Sequence, residues 1–278
     1  MAAEQILMNV SPGETRIALM EKGRLSGLVV FRQGDESVVG NIYLGRVSAV
    51  LDGLQAAFVE CGLERAGFLS LADLRPLGGQ SRERNHRDKI ADHVSEGDQI
   101  LVQVLRDPEE NKGAKLTARV TLTGRDLVFA PGQSGVTLSR RISDESERKR
   151  LSHLIEKAVP EGVKGAFVVR VAAQEAEAED LENEVKVMIK RSIDLEEAQK
   201  KAAAPACLLR ELEAPFSILR EFGGIDLESV QVDDKNLYKK LCDFAADGME
   251  DLVDLISFYD EKEALFDSQG IEELIDAV

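Results

Sequence analysis

Through the first 120 residues, short runs of alternating apolar and polar positions are cut by glycine-containing turns. Ile6–Val10, Thr15–Met20 and Leu25–Val30 are separated by Ser11-Pro12-Gly13 and Lys22-Gly23, which predicts a hairpin of strands at the N-terminus. A lone hairpin cannot bury its apolar face, so these strands need partners from elsewhere in the chain. From Gly40 to Leu71 the pattern tightens. The run around Gly45-Arg46-Val47 breaks at Asp52-Gly53, resumes at Ala56-Ala57-Phe58-Val59, breaks at Gly62 and resumes at Gly67-Phe68-Leu69. β-Branched and aromatic residues in strands, with glycine at the corners, describe a small, strongly curved antiparallel barrel. A polar, basic insert over 73–95 reads as a loop with a short helix. Gln99–Asp107 is then a clear alternating strand, and Leu116–Val120 closes the set after a turn at 111–115. Five strands with a helix-capable insert is the count of an OB-fold.

The period changes after residue 121. Asp126–Phe129 and Gly135–Leu138 read as short strands. Asp144–Ala158 reads as a helix, with Ser143 as its cap and Leu151, Leu154, Ile155 and Ala158 on one face. The run Gly165–Val171 is apolar throughout and reads as a buried strand. Ala173–Ala203 is a long charged helix with an apolar stripe of Leu181, Val185, Met188, Ile189 and Ile193. Beyond 205, strand and helix alternate: Leu212–Arg220 partly helical, Ser229–Val232 strand, Lys235–Phe244 helix, Ile256–Tyr259 strand and Gly270–Ala277 helix.

Charge divides the chain. The formal net charge is -16. Residues 1–142 carry 18 acidic and 18 basic side chains, so the whole excess lies in 143–278. The first half therefore meets a polyanion without bulk repulsion. No apolar run is long enough to span a bilayer and the N-terminus carries no signal-peptide pattern. Three scattered cysteines without metal-site spacing fit a reducing cytoplasm, which is the expected location.

Each candidate residue has a plain structural reading beside the functional one. Phe58 and Phe68 fill a barrel core or stack bases of single-stranded nucleic acid. Lys112 is a solvated turn lysine or a phosphate contact. Arg170, in an apolar strand, needs an anion, either a protein carboxylate or a ligand phosphate. Arg140 and Arg141 carry the same ambiguity. The basic loop Arg82–Lys89 is a solvated loop or an electrostatic attractor of RNA. The carboxylates of the last quarter read as a solvated face.

Asn41-Ile42-Tyr43-Leu44-Gly45-Arg46-Val47, followed by Ala56-Ala57-Phe58-Val59, Gly62, Glu64-Arg65 and Gly67-Phe68-Leu69, resembles the S1-type OB-fold region of the ribonuclease E/G family. The likeness continues through Asn111–Ala114, Gly124 with Leu127-Val128, Ser139–Ile142 and Phe167–Arg170. The resemblance implies an α+β chain in which an S1-type OB-fold barrel (38–118) and a 5′-end sensor subdomain (119–204) are inserted into a split RNase H-like domain (1–37 with 205–278). It implies single-stranded RNA as partner, with Phe58, Phe68 and Lys112 as RNA contacts. It places 5′-phosphate sensing at Gly124, Val128, Arg141 and Arg170.

The family's catalysis uses metal-binding carboxylates in a further domain. This chain has no counterpart of them, so the resemblance implies no catalytic residue, metal site or cofactor here. For the intact family enzyme it implies magnesium and a homo-oligomer. The chain then reads as the gripping part of a longer endoribonuclease. The other readings are a naturally short RNA-binding or regulatory protein, or an acidic protein-docking scaffold. Two departures bear on the sites. Val171 stands at the family's threonine position in the phosphate pocket, which removes a hydroxyl donor worth roughly 1.5–3 kcal/mol to a charged acceptor. Cys61 and Ala66 replace an aromatic and a histidine on the barrel.

Overall fold

The computed structural model describes residues 3–32, 34, 37–74, 89–174, 176–224 and 226–276. Most of the basic loop read over Arg82–Lys89 lies outside the described residues. The chain forms two compact units. One is built from 1–36 and 212–278, the other from 37–211, so the second unit is an insertion in the chain of the first.

The chain opens with three antiparallel strands, β1 (Gln5–Ser11), β2 (Glu14–Glu21) and β3 (Arg24–Arg32). The Lys22-Gly23 turn between β2 and β3 places both residues at positive φ, a backbone that glycine adopts freely. The second unit follows with β4 (Ile42–Leu51), β5 (Ala56–Glu60), β6 (Gly67–Ser70), α1 (Leu71–Leu74), β7 (Gln99–Arg106) and β8 (Lys115–Thr117). Next come β9 (Leu122–Thr123), β10 (Leu127–Pro131), β11 (Gly135–Leu138), α2 (Glu145–Ala158), β12 (Gly165–Val169), α3 (Ala178–Lys201) and β13 (Ala206–Leu209). The first unit resumes with α4 (Ala214–Phe222), β14 (Ser229–Val232), α5 (Lys235–Ala246), β15 (Ile256–Phe258), α6 (Leu265–Ser268) and α7 (Ile271–Asp276).

In the first unit, the partners that the N-terminal strands need come from the far end of the chain. The sheet order is β15-β14-β1-β2-β3, with β14 parallel to β1 and β15 parallel to β14. Alternation along β1 sends Ile6 and Met8 to one face and Leu7 to the other. The first face packs against α4 and α5 through Leu219, Leu241 and Ala245, and the second against Leu265, Phe266 and Ile271.

In the second unit, β4, β5, β6, β8 and β7 form a five-strand barrel, closed because β4 also pairs with β7. Its interior holds Val47, Ala57, Val59, Leu69, Val102, Val104 and Leu116. The remaining sheet, β11-β12-β10-β9, packs on α2 and α3 through Phe129, Phe167, Leu151, Ile155, Leu181 and Val185. Ile42 of the barrel is fully buried in that second core, which joins barrel and sheet within the unit.

The structure corrects three details of the sequence reading. Residues 206–209, assigned from sequence to the first unit, hydrogen bond as β13 along β4 and belong to the second unit, whose boundary falls at 211. The α2 cap is Asp144, whose carboxylate accepts from the Ser146 N–H; Ser143 does not cap it. Ile193 is 52% exposed; the buried stripe of α3 runs Leu181, Val185, Met188, Ser192, Leu195, stepping by three and four residues.

Candidate nucleic-acid interface

Alternation decides which way the barrel aromatics point. Ala57, Val59 and Leu69 are buried in the barrel, so Phe58 and Phe68, one position away on β5 and β6, face outward. The two are direct cross-strand partners, and their rings meet edge to face with centroids 6.2 Å apart at 68°. Both are half-buried, with ring surface left available. Neither ring belongs to the buried core of the barrel.

The register continues this row. Ala49 on β4 opposes Phe58, Lys115 on β8 is the partner of Phe68, and Arg106 on β7 is the partner of Lys115. Lys115 Nζ lies 3.4 Å from Asp73 Oδ2, and Arg119 Nη2 lies 3.6 Å from Asp73 Oδ1. Arg106 is exposed. Two aromatic faces thus sit in line with two cations, an arrangement suited to a base stack with its phosphates alongside.

Lys112 lies outside this row. It sits in the turn before β8, exposed, with its ammonium 3.5 Å from Glu109. The turn itself is fixed by Gly113, where a Cβ would fall 1.8 Å from the carbonyl oxygen of Ala66. Cys61 is buried in the barrel core and burial pushes its thiol up to about 12, so it offers neither a ring nor a thiolate to the surface. Ala66 is half-buried beneath the Gly113 turn.

A second site forms at one end of the β11-β12-β10-β9 sheet. Leu127 pairs with Val169 and Leu138 with Val169, so the Gly124–Asp126 loop, Arg170 and the Ser139–Arg141 segment converge where β12 ends. Arg170 Nη1 donates to the carbonyl oxygens of Gly124 at 2.9 Å and Arg125 at 3.1 Å. The Arg170 N–H donates to the carbonyl oxygen of Asp126, and the Ser139 N–H to that of Val169. Arg140 and Arg141 are exposed. Arg148 Nη1 braces the segment by donating to the carbonyl oxygens of Ser139 and Ile142. Val128 is half-buried on β10. Val171 packs against the core between this sheet and its helices, so its side chain lends the site no polar group.

Beneath the same loop lies Glu184 of α3. Its two carboxylate oxygens lie 3.2 and 3.1 Å from the Asp126 nitrogen, which donates to them. A Cβ on Gly124 would fall 1.9 Å from Glu184 Oε1 and 2.2 Å from Met188 Cε, so a side chain there would displace both from beneath the loop. Burial, with the nearby Asp126 carboxylate second, pushes the Glu184 carboxyl up to about 7.

Lys115, Arg106 and Glu184 were not singled out from sequence. Beside the inward Leu116, alternation sets Lys115 outward, but its place next to Phe68 comes from the β6–β8 pairing. Glu184 carried no signal, standing among many acidic positions of a charged helix. Among the described residues, no three His, Cys, Asp or Glu side chains come together in a group that could hold a metal ion, and no helix is long and apolar enough to cross a membrane.

The fold and these two sites define a class: an α+β chain carrying a closed barrel with an outward aromatic pair, next to a sheet whose end gathers arginines. Comparison with known proteins makes this specific. Residues 121–278 match the Ribonuclease E/G family. The chain is 38% identical to Ribonuclease G of Haemophilus influenzae (strain ATCC 51907 / DSM 11121 / KW20 / Rd) over 279 residues, covering 99% of this chain and 56% of that protein. It is 35% identical to Ribonuclease G of Escherichia coli (strain K12), covering 96% of this chain and 55% of that one. It is 36% identical to Ribonuclease E of Nostoc sp. (strain PCC 7120 / SAG 25.82 / UTEX 2576) over 204 residues, 73% of this chain and 29% of that one. The chain belongs to the ribonuclease E/G family. It spans about half the length of the Ribonuclease G relatives.

Proposed function

We propose that this chain is the RNA-binding and substrate-orienting part of a ribonuclease E/G-type endoribonuclease acting on single-stranded RNA. The observation that carries the reading is the outward Phe58–Phe68 pair in register with Lys115 and Arg106. Stacking on such rings tolerates any base, and the adjacent cations meet the phosphates. Family membership supports RNA as the polymer.

On this reading the barrel is an S1-type OB-fold. The sheet end at Gly124, Val128, Arg141 and Arg170 is a pocket for the 5′ end of the RNA, supported by the convergence of Arg170 and the Arg140-Arg141 segment on one loop. The mixed sheet of the first unit, an antiparallel meander extended by two parallel strands, supports its reading as the RNase H-like scaffold. Magnesium belongs to the hydrolysis attributed to the whole enzyme. Among the described residues no three His, Cys, Asp or Glu side chains come together as such an ion's site would need. What these residues do is bind and orient. The ring faces hold bases, the cations hold phosphates, and the sheet end positions a chain terminus.

The test is anisotropy of a labelled single-stranded RNA with the wild-type chain and with F58A/F68A. Tight, salt-dependent binding that the double variant loses supports the reading. Equal affinity for both proteins overturns it and leaves the acidic docking scaffold. Incubation of the same RNA with the chain and magnesium is expected to leave it intact; robust cleavage overturns the purely orienting role.

A further inference from the structure

Arg125, Asp126 and Leu127 present three successive main-chain N–H groups, and an anion already occupies them, while the Gly124 N–H donates to the Leu127 carbonyl oxygen. The Asp126 N–H is shared by both Glu184 oxygens, and the backbone N–H groups of Leu127 and Arg125 also favour the ionised carboxylate. Consecutive amides aimed at one anion are the arrangement with which proteins bind phosphate. Here the anion belongs to the chain itself, and it sits in the space that the missing side chain of Gly124 leaves open.

We propose that Glu184 is an internal competitor for phosphate: its carboxylate fills the amides of Arg125, Asp126 and Leu127, leaves an RNA 5′ phosphate to the arginine side chains alone, and thereby sets the selectivity between phosphorylated and hydroxyl 5′ ends. The inference rests on the reading of this sheet end as a 5′-end pocket. It makes Glu184 a positioning and specificity-determining residue that need not touch the RNA.

The charges around Glu184 define when the competitor is anionic. Asp126 and Arg125 stand on the loop, Arg170 holds the loop carbonyls from the end of β12, and Arg191, two turns along α3, donates to the Thr123 carbonyl oxygen. Burial and the like charge of Asp126 bring the carboxyl to about 7. Below that pH the competitor is neutral and the pocket accepts more negative charge; above it the pocket repels a phosphate dianion.

The experiment measures affinities of one single-stranded oligonucleotide in 5′-phosphorylated and 5′-hydroxyl forms, from pH 6.5 to 8.5, for wild type, Glu184→Gln and Arg170→Ala. The 5′ phosphate has its own ionisation near pH 6, which all proteins share, so the comparison between them removes it. The wild-type preference for phosphate is expected to fall at least about threefold across this range. In E184Q it stays level and at pH 8.5 exceeds the wild-type preference by about fivefold. The amide oxygen of glutamine can still accept the Asp126 N–H, and circular dichroism checks the fold. E184D, whose shorter side chain withdraws from the amides, is a second variant and is expected to fall between. A folded E184Q with the wild-type preference at every pH overturns the inference. If R170A abolishes the preference while E184Q and E184D do not alter it, the pocket reading stands and the inference alone fails. If no protein distinguishes the two ends at any pH, the pocket reading fails and the inference falls with it.

Discussion

Phe68 and Lys115 are register partners in the pairing of β6 with β8, the one parallel pairing among the barrel strands described. This brings a cation from 47 positions along the chain beside one ring of the edge-to-face pair. Aromatic and charge therefore act on the same stretch of RNA, and their contributions separate by salt. Removing a ring weakens binding without changing the salt dependence. Phe58→Ala and Phe68→Ala are each expected to lower affinity by about 1–3 kcal/mol, the scale of one base stacked on one ring. Lys115→Gln and Arg106→Gln are expected to weaken binding at low salt and to reduce the slope of log K against log salt by about 0.7 each. Anisotropy titrations at three salt concentrations measure both quantities.

Gly113 holds that geometry in place. A methyl group there would fall 1.8 Å from the Ala66 carbonyl oxygen, a main-chain atom that cannot swing aside. Gly113→Ala is expected to push the turn off β6, weaken the β6–β8 pairing and destabilise the barrel by more than about 2 kcal/mol. It should also weaken RNA binding, although residue 113 has no side chain to contact it. Thermal unfolding followed by circular dichroism, with the binding assay alongside, checks both.

How far these sites were legible in the sequence follows from the range of the interaction that makes them. Phe58 and Phe68 stand out in the sequence as the aromatics of two barrel strands, but their pattern allows both a core and a surface role; only the pairing of β5 with β6 around a core of Ala57, Val59 and Leu69 turns them outward. The glycines that cut the barrel strands were a local signal. Lys115 depended on a parallel pairing between distant segments, which no local pattern announces. The β13 segment was placed in the wrong unit because a four-residue strand carries no mark of its partner; the free edge of β4 selects it. Ile193 was misplaced for a different reason: apolarity and helical spacing both allowed it in the stripe, but the face that meets the sheet steps through Ser192 and Leu195 instead. Glu184 is the extreme case. Only the missing side chain of Gly124 distinguishes the place it occupies.

Glu184 also predicts a pH dependence of stability. Its carboxyl is raised in the folded chain from an ordinary value of 4.5 to about 7. A raised carboxyl favours the folded state while protonated, so this contribution is fully present below about pH 4.5 and is lost as pH rises through 7. At about 1.4 kcal/mol per pH unit the loss is on the order of 3 kcal/mol. Other carboxylates titrate over part of this range, so the difference between wild type and E184Q is the quantity to measure. E184Q is expected to be the less stable protein at pH 5 and the more stable at pH 8.5. Urea denaturation at both values measures it, and parallel pH profiles for the two proteins would contradict the placement of Glu184 beneath the loop.

In the first unit, Arg16 ties together parts of the chain that are far apart in sequence. Its guanidinium donates to Asn9 Oδ1 and forms a two-pronged pair with Glu272 at 3.2 and 2.7 Å, and its Cζ lies 4.7 Å from the centre of the Phe266 ring. Asn9 in turn donates to Asp233 at 2.6 Å, and Asp233 accepts from the Val10 N–H at 2.7 Å. Arg16 of β2 thus bonds β1 and α7 directly, and Asn9 carries the link on to Asp233, the residue after β14. Charge-assisted, two-pronged bonds with partly buried partners are the strong members of their kind. Removing Arg16 leaves Glu272 without this cation and uncovers the Phe266 ring, so Arg16→Ala is expected to cost about 2–3 kcal/mol. Glu272→Ala should cost less, because Arg16 keeps Asn9 and the ring. The two losses should not add: a double-mutant cycle is expected to give a coupling of about 1–2 kcal/mol. Since both residues lie in the first unit and the aromatic pair in the second, neither variant is expected to change RNA affinity at temperatures where the chain is folded. Denaturation curves for the four proteins of the cycle, with anisotropy on the same samples, test the coupling and its separation from binding together. Additive losses would mean that the Arg16–Glu272 pair contributes nothing beyond the surfaces it covers.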